Sequence, residues 1–385
     1  MNRLSNIFLL LIYTALVFSF GALLGWGGGG VIDSRLARTP RNLNAEFAPF
    51  WEVWNIAHRE YFEQPLDDTV LVEGAIKGML ATLGDPNTRY LDPVAQDQEE
   101  QEMEGEFEGI GVTIETVEDV GVVVVAPIEG SPAQEAGIKA GDVLLAADGV
   151  PLPDADTAVE LVRGPAGEPV TLTIGRNETE IEIIVTRGVI EMASVIGRTL
   201  DNNIAYIQIT QFANDTAESF SAELETLLAQ NPSGLILDLR NNPGGLLSSV
   251  VSISDELLDE GIILNQQFGN GSKTIFDSDS GDIGETIPLV VLINEGSASA
   301  SEVLAGAITA RERGTIIGTQ SFGKGTVQSV QTLSNGGGLR VTIAHWLTPD
   351  DEWIHEVGVT PDIIIEPIEG DEDIQLDRAI EILIK

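Results

Sequence analysis

Beyond Arg187 the chain sets four short apolar runs, residues 204–209, 235–239, 289–293 and 315–317, in alternation with helical stretches at about 217–229, 246–258 and 299–310. Strand and helix patterns in alternation commit this part to α/β organisation. The segment before it differs in kind. Short β-rich runs at 109–115, 121–126, 142–147, 170–174 and 181–185 are punctuated by glycine and proline, with short helical stretches at 131–137 and 157–162. That pattern predicts a small β-rich domain carrying two helices. From residue 45 to about 83, apolar residues including Phe50, Trp54, Ile56, Val70, Ile76 and Leu80 recur at helical spacing and predict two amphipathic helices. A chain of 385 residues is therefore multidomain.

Composition removes several functions. Lys and Arg number 20 against 61 Asp and Glu, a formal net charge of -41 that repels nucleic-acid backbones. The acidity is spread along the chain and reads as a solubilising surface. Cysteine is absent, which excludes disulfides, thiol nucleophiles and Cys-based zinc sites. The three histidines, His58, His345 and His355, form no spaced ligand pair. No metal and no cofactor are expected. His58 sits among aromatic neighbours and reads as a packing or surface histidine.

Residues 7–26 are almost uninterruptedly apolar behind Arg3, long enough for a transmembrane helix. The competing reading is a cleaved signal peptide, but no A-x-A-like site follows. Arg35, Arg38 and Arg41 on the far side oppose the orientation set by Arg3. The expectation is a single-pass anchor in the cytoplasmic membrane with the folded part on the extracytoplasmic side. A flexible stalk spans 27–44.

Three loops of the α/β part carry residues that packing alone does not explain. Asn241-Asn242-Pro243-Gly244-Gly245 follows a buried strand and precedes a helix, and exposes amides suited to an oxyanion, or else is a plain β-to-α turn. Gly296 to Glu302 holds Ser297, Ser299 and Ser301 at a second strand-to-helix turn. Ser299 and Glu302 fit a capping box, and equally Ser299 fits a nucleophile whose following amide, Ala300, faces a substrate carbonyl. Gly318 to Lys324 satisfies most of a phosphate loop, but Gly325 stands where Ser or Thr is needed and a strand pattern follows, so nucleotide binding is rejected. If that strand begins at Lys324, then Lys324, Thr326 and Gln328 share a face, and a buried lysine there could lose its charge and act as a base.

Ser131-Pro132-Ala133 through Gly137-Ile138-Lys139-Ala140-Gly141-Asp142, followed by Asp148-Gly149, resembles the signature of bacterial PDZ domains. The resemblance implies that Gly109, Ile110, Gly111 and Val112 form the loop that holds a peptide's terminal carboxylate, with the helix at 157–162 as the other groove wall. The three catalytic-type loops, in order behind such a domain, are similar to those of the C-terminal processing peptidases, or tail-specific proteases. Leu83-Gly84-Asp85-Pro86, Arg89-Tyr90-Leu91-Asp92-Pro93, Gly358-Val359 and Pro361-Asp362 extend the likeness.

The resemblance implies a crotonase/Clp-protease-like core. It also implies Ser299 as nucleophile, Lys324 twenty-five residues on as general base, Gln328 as the group orienting it, and Gly244 and Ala300 amides as the oxyanion hole. Arg163 falls where family members couple PDZ occupancy to activation. Some members carry an aspartate where this chain has Ala310. The implied partners are protein or peptide substrates with apolar C-terminal tails, and a homo-oligomer or a regulatory partner stays open. The expected parts are residues 1–26 (transmembrane anchor or signal segment), 27–44 (flexible stalk), 45–95 (helical N-terminal region), 96–187 (PDZ domain) and 188–385 (α/β serine peptidase core). A catalytically inactive membrane-tethered PDZ adaptor and a crotonase-type acyl-CoA enzyme are the rival readings.

Overall fold

In the computed structural model, residues 43, 45–117, 120–128, 130–177, 179–368 and 373–384 are described. The expected span at 7–26 and most of the stalk lie outside them. Among the described residues no helix is long and apolar enough to cross a membrane. The chain divides into a unit ending at Val72 and a larger one beginning at Glu73. In the first lies the Ala48–Glu60 helix, none of whose residues is buried.

The larger unit is built around a six-stranded sheet. Its spatial order is Val195–Leu200, Ile204–Ile209, Leu235–Asp238, Leu289–Ile293, Thr315–Gly318 and Ile363–Ile364. Only the first pairing is antiparallel. Side chains alternate between two cores, as period-two geometry requires. Leu235, Leu237, Leu289, Val291 and Ile293 pack with Phe220, Ile253 and Leu304 of the Thr216–Leu228, Leu247–Leu257 and Ala300–Ala310 helices. Ile236, Val290, Leu292 and Ile317 pack with Ala379 of the Ile374–Leu383 helix. Burial on both faces is why these strands read as continuous apolar runs. Each such Leu or Ile contributes about 1.5–3 kcal/mol.

A second, antiparallel sheet joins Arg89–Leu91, Gly338–Leu347, Gly261–Phe268 and Lys273–Ser278, with Thr326–Thr332 on the other side of Gly338–Leu347. The expected strand after the lysine thus begins at Thr326, two residues later than the shared-face argument assumed. The reason is local: the Lys324 N–H donates to a glutamate instead of a ladder.

The small domain is a sheet ordered Val112–Val117, Gly121–Pro127, Val143–Ala147, Pro169–Arg176, Thr179–Thr186, with Val150–Pro151 beside the third strand. Its core gathers Val122, Leu144, Ala158, Leu172 and Ile174. Val112–Val117 is an edge strand, so one row of its backbone groups remains available for pairing. The Pro93–Glu104 helix, capped by Asp92 on the Ala95 N–H, precedes this domain in the chain.

Candidate active site

The Leu289–Ile293 strand leads through a tight turn into the Ala300–Ala310 helix, whose residues 300–308 are all buried. At that turn Ser299 has φ 54° and ψ -110°, a positive-φ conformation that a serine holds only when its surroundings impose it, at about 1–3 kcal/mol. The turn lifts the side chain toward a cavity of about 750 Å³, whose walls include Ser299, Ala300, Gly244, Lys324 and Gln328. All five residues expected of the chemistry therefore meet at one cavity.

The neighbouring serines are otherwise engaged. Ser297 and Ser301 are fully buried, and their hydroxyls donate to the carbonyls of Leu239 (2.8 Å) and Asn242 (2.9 Å). These bonds tie the serine turn to the Asn241–Gly245 loop. The tie is reinforced by Asn294, whose Oδ1 accepts from Asn241 N–H at 2.8 Å and whose Nδ2 donates to Asn241 Oδ1 at 2.8 Å. Gly244, at φ +102°, lies so close that a Cβ on it would sit 2.7 Å from Ser299 Cβ. Only glycine accommodates both the backbone angle and the contact. Its N–H is committed to Asn242 Oδ1 at 2.9 Å. Arg240, just before this loop, is pinned by Asp238 (2.6 Å) and Asp373 (2.8 Å).

The third loop is joined to the first two by Glu302, which is fully buried. Its Oε2 accepts from Ser299 N–H (2.8 Å) and Lys324 N–H (2.9 Å), and its Oε1 from Gly323 N–H (2.6 Å) and the Ser321 hydroxyl (2.6 Å). The capping pattern read at Ser299 and Glu302 is thus real on the carboxylate side, but it is one part of a four-donor junction. Glu302 was legible only as a cap; its place in an otherwise apolar run, before Val303 and Leu304, was the signal of a larger role. Around the lysine, Trp346 Nε1 donates to Lys324 O (2.9 Å), and a Cβ on Gly325 would meet Trp353 Nε1 at 2.7 Å. The flanking glycine exists because another segment packs against it.

Burial pushes the Lys324 ammonium below its ordinary pKa, and the charges of Arg340 and Arg89 push the same way, against Glu99 and Glu302. Gln328 Nε2 donates to Thr326 Oγ1 (2.8 Å) and Thr342 Oγ1 (3.3 Å). Ala310 ends the helix that Ala300 begins. At 1.5 Å per residue that is roughly 15 Å from the Ser299 end, too far for it to touch the reacting atoms.

In the small domain, Gly109, Ile110, Gly111 and Val112 line an apolar groove against the Ala155–Val162 helix. Arg163, the C-cap of that helix, also lines it, lies 5.3 Å from the Phe107 ring, and pairs with Glu102 of the Pro93–Glu104 helix at 3.0 Å. Glu102 in turn borders the Ser299 cavity.

Comparison with known proteins agrees with this architecture. Residues 203–365 match Peptidase family S41, residues 123–176 match a PDZ domain, and residues 33–95 match the activating protease CtpB N-terminal domain. The carboxy-terminal processing protease CtpA of Bacillus subtilis (strain 168) is 35% identical over 370 residues, covering 95% of this chain and 78% of the relative. The carboxy-terminal-processing protease of Bartonella bacilliformis is 38% identical over 335 residues, covering 85% and 76%. Among solved structures, a photosystem II D1 C-terminal processing protease superimposes with a TM-score of 0.54 at 31% identity, covering 83% of this chain and 92% of its own. With the serine turn, the lysine loop and a PDZ domain in one chain, the protein belongs to peptidase family S41 and is a serine peptidase of the carboxy-terminal processing type.

Proposed function

We propose that the protein is a membrane-tethered endopeptidase that takes substrate C-terminal tails in its PDZ groove and cleaves with Ser299 and Lys324. In this reading neutral Lys324 Nζ accepts the Ser299 hydroxyl proton as Oγ bonds to the scissile carbonyl carbon. The resulting oxyanion is met by the Ala300 N–H at the positive end of the Ala300–Ala310 helix. Gly244 joins it once its N–H leaves Asn242. Collapse expels the amine, which takes the proton back from Lys324, and water then hydrolyses the acyl ester by the same base. Gln328 serves to hold the lysine in line.

The observation that carries this reading is the Glu302 junction, one buried carboxylate that binds the backbone of Ser299 and of Lys324 at 2.8 and 2.9 Å. It fixes nucleophile and base to a common point, which is what proximity catalysis requires. The competing serines are supported as bystanders by their own buried hydrogen bonds.

Tail capture is supported by the edge position of Val112–Val117 beside the groove, where an extended apolar peptide could add as a strand. Arg163, at the groove rim and bonded to Glu102, is proposed to relay occupancy to the cavity. Placement in the cytoplasmic membrane, with the enzyme on the extracytoplasmic side, rests on the apolar run at 7–26. Self-association or a regulatory partner is supported by exposed Trp51, Val53 and Ile56 on a helix with no buried residue.

The test is cleavage of an unfolded protein with an apolar C-terminus by the full chain, beside its Ser299→Ala and Lys324→Ala variants. Loss of cleavage in both variants with tail binding retained is expected. Equal turnover in all three would remove the mechanism.

A further inference from the structure

Three side chains on the wall of the Ser299 cavity carry no step of the chemistry proposed above, although the two arginines among them bias Lys324 toward its neutral form. Arg89 and Arg340 stand directly opposite each other on neighbouring antiparallel strands, where like charges repel. Both turn to one carboxylate, Glu99 of the Pro93–Glu104 helix: Arg89 Nη2 lies 3.4 Å from Oε2, and Arg340 Nη1 lies against Oε1. Two cations on one anion leave surplus positive charge, in a chain whose net charge is -41. All three line the cavity with Lys324. On the opposite flank Arg340 is registered with Val330, two residues beyond Gln328 and on the same sheet face, or about 7 Å along the strand.

Glu99 does not exhaust the arginine. Among the described residues, Arg340 Nε and Glu99 Oε1 are both buried without a hydrogen-bond partner. The pair is close in charge but not directed as a hydrogen bond, and a donor stripped of water goes unused. A guanidinium presents a planar fork whose natural complement is a second carboxylate, bound through two N–H groups.

We propose that Arg340, assisted by Arg89, is a carboxylate subsite of the cleft that selects substrates carrying a carboxylate close to the bond being cleaved, with Glu99 holding its place before substrate arrives. The proposal rests on the serine-peptidase reading above. The carboxylate is supplied either by an acidic side chain or by a free C-terminus, and the two share the same chemistry at the fork.

The test uses the full chain and peptides with one common apolar tail. Glu or Gln is placed in turn at each of the positions flanking the scissile bond, and each peptide is made with a free and with an amidated C-terminus. A charge-assisted bidentate contact predicts a roughly ten-fold advantage in kcat/KM for Glu over Gln at one position, carried mainly by KM. Arg340→Gln brings that ratio to about one. Arg340→Lys, which keeps the charge but not the fork, and Arg89→Gln, at a more exposed site, give intermediate ratios. Glu99→Gln raises the ratio. An advantage that follows the free C-terminus instead, and is lost in Arg340→Gln, supports the same subsite with the terminal carboxylate as its ligand. Wild-type turnover that ignores both carboxylates, or a ratio untouched by Arg340→Gln and Arg89→Gln, overturns the subsite while leaving the peptidase standing. No cleavage of any peptide by the wild type overturns both.

Discussion

A carboxylate taken wholly out of water is costly unless its lone pairs are used. Glu302 uses them on four donors from two loops, and two of those donors belong to Ser299 and Lys324. Glu302→Gln keeps the shape but turns an N–H2 toward N–H donors. It is expected to lower the unfolding free energy by roughly 2–4 kcal/mol and, by letting the two loops drift, to reduce kcat about 100-fold. Urea denaturation and steady-state kinetics on one preparation read both. Lys324 carries the second prediction at this scale. Its pKa lies below the ordinary lysine value because burial and the two arginines disfavour the ammonium, and only the neutral amine accepts a proton. The kcat/KM profile should therefore rise with pH through a single acidic limb whose midpoint is below that of a free lysine. A limb at the ordinary lysine value would mean that the amine titrates as in water.

Among the elements, the legible ones were those whose signal is local. The strand at 289–293 and the helix at 299–310 were readable to within a residue, because an apolar run buried on both faces and a strand-to-helix turn leave a pattern in consecutive residues. The Pro93–Glu104 helix left none: only Gln96 of it is buried, so no apolar stripe marks it. Gly261–Phe268 was equally silent, since Asn265 and Gln266 occupy buried positions. The PDZ groove was read from the resemblance carried by Ser131-Pro132-Ala133 to Asp142, since Gly109 and Gly111 by themselves fit a punctuated strand as well. The junction at Glu302 was not, because its donors come from residues 299 to 324 and no local spacing brings them together. Lys324 was read as a base from the family resemblance and from a strand face shared with Thr326 and Gln328, although that strand begins two residues later than expected.

One element carries a pH prediction. Glu256, near the end of the Leu247–Leu257 helix, is pushed up to about 7 by burial and by Asp282 and Asp255, and its Oε1 accepts from the Ser221 hydroxyl. The folded state thus holds a proton that the unfolded chain releases near its ordinary value of 4.5. Stability from this group is full below that value and falls as pH rises toward 7. Glu256→Gln should therefore raise Tm at pH 8 and lose that advantage at pH 4.5, as differential scanning calorimetry at the two pH values would read. An equal shift at both would deny the buried charge its role.

At the scale of the whole molecule, the peptide groove and the Ser299 cavity are bordered by one ion pair, Arg163 with Glu102. The two side chains are 40% and 53% exposed, so the bond contributes at most about 1 kcal/mol and breaks readily. Such a contact suits a signal more than a strut. Arg163→Ala in the full chain should abolish the stimulation of cleavage by C-terminal peptides added in trans, even at peptide concentrations that fill the groove. Stimulation equal to that of the wild type would detach this pair from regulation.

Three serines crowd the turn before the Ala300–Ala310 helix, and the mechanism requires that Ser299 alone form the ester. Acid quenching of the full chain during turnover of a slowly deacylated ester, followed by peptide mapping by mass spectrometry, reads that directly. The prediction is an acyl group on Ser299 that is lost in Ser299→Ala and fails to form in Lys324→Ala. An adduct on Ser297 or Ser301, or turnover with no acyl-serine at all, would contradict it.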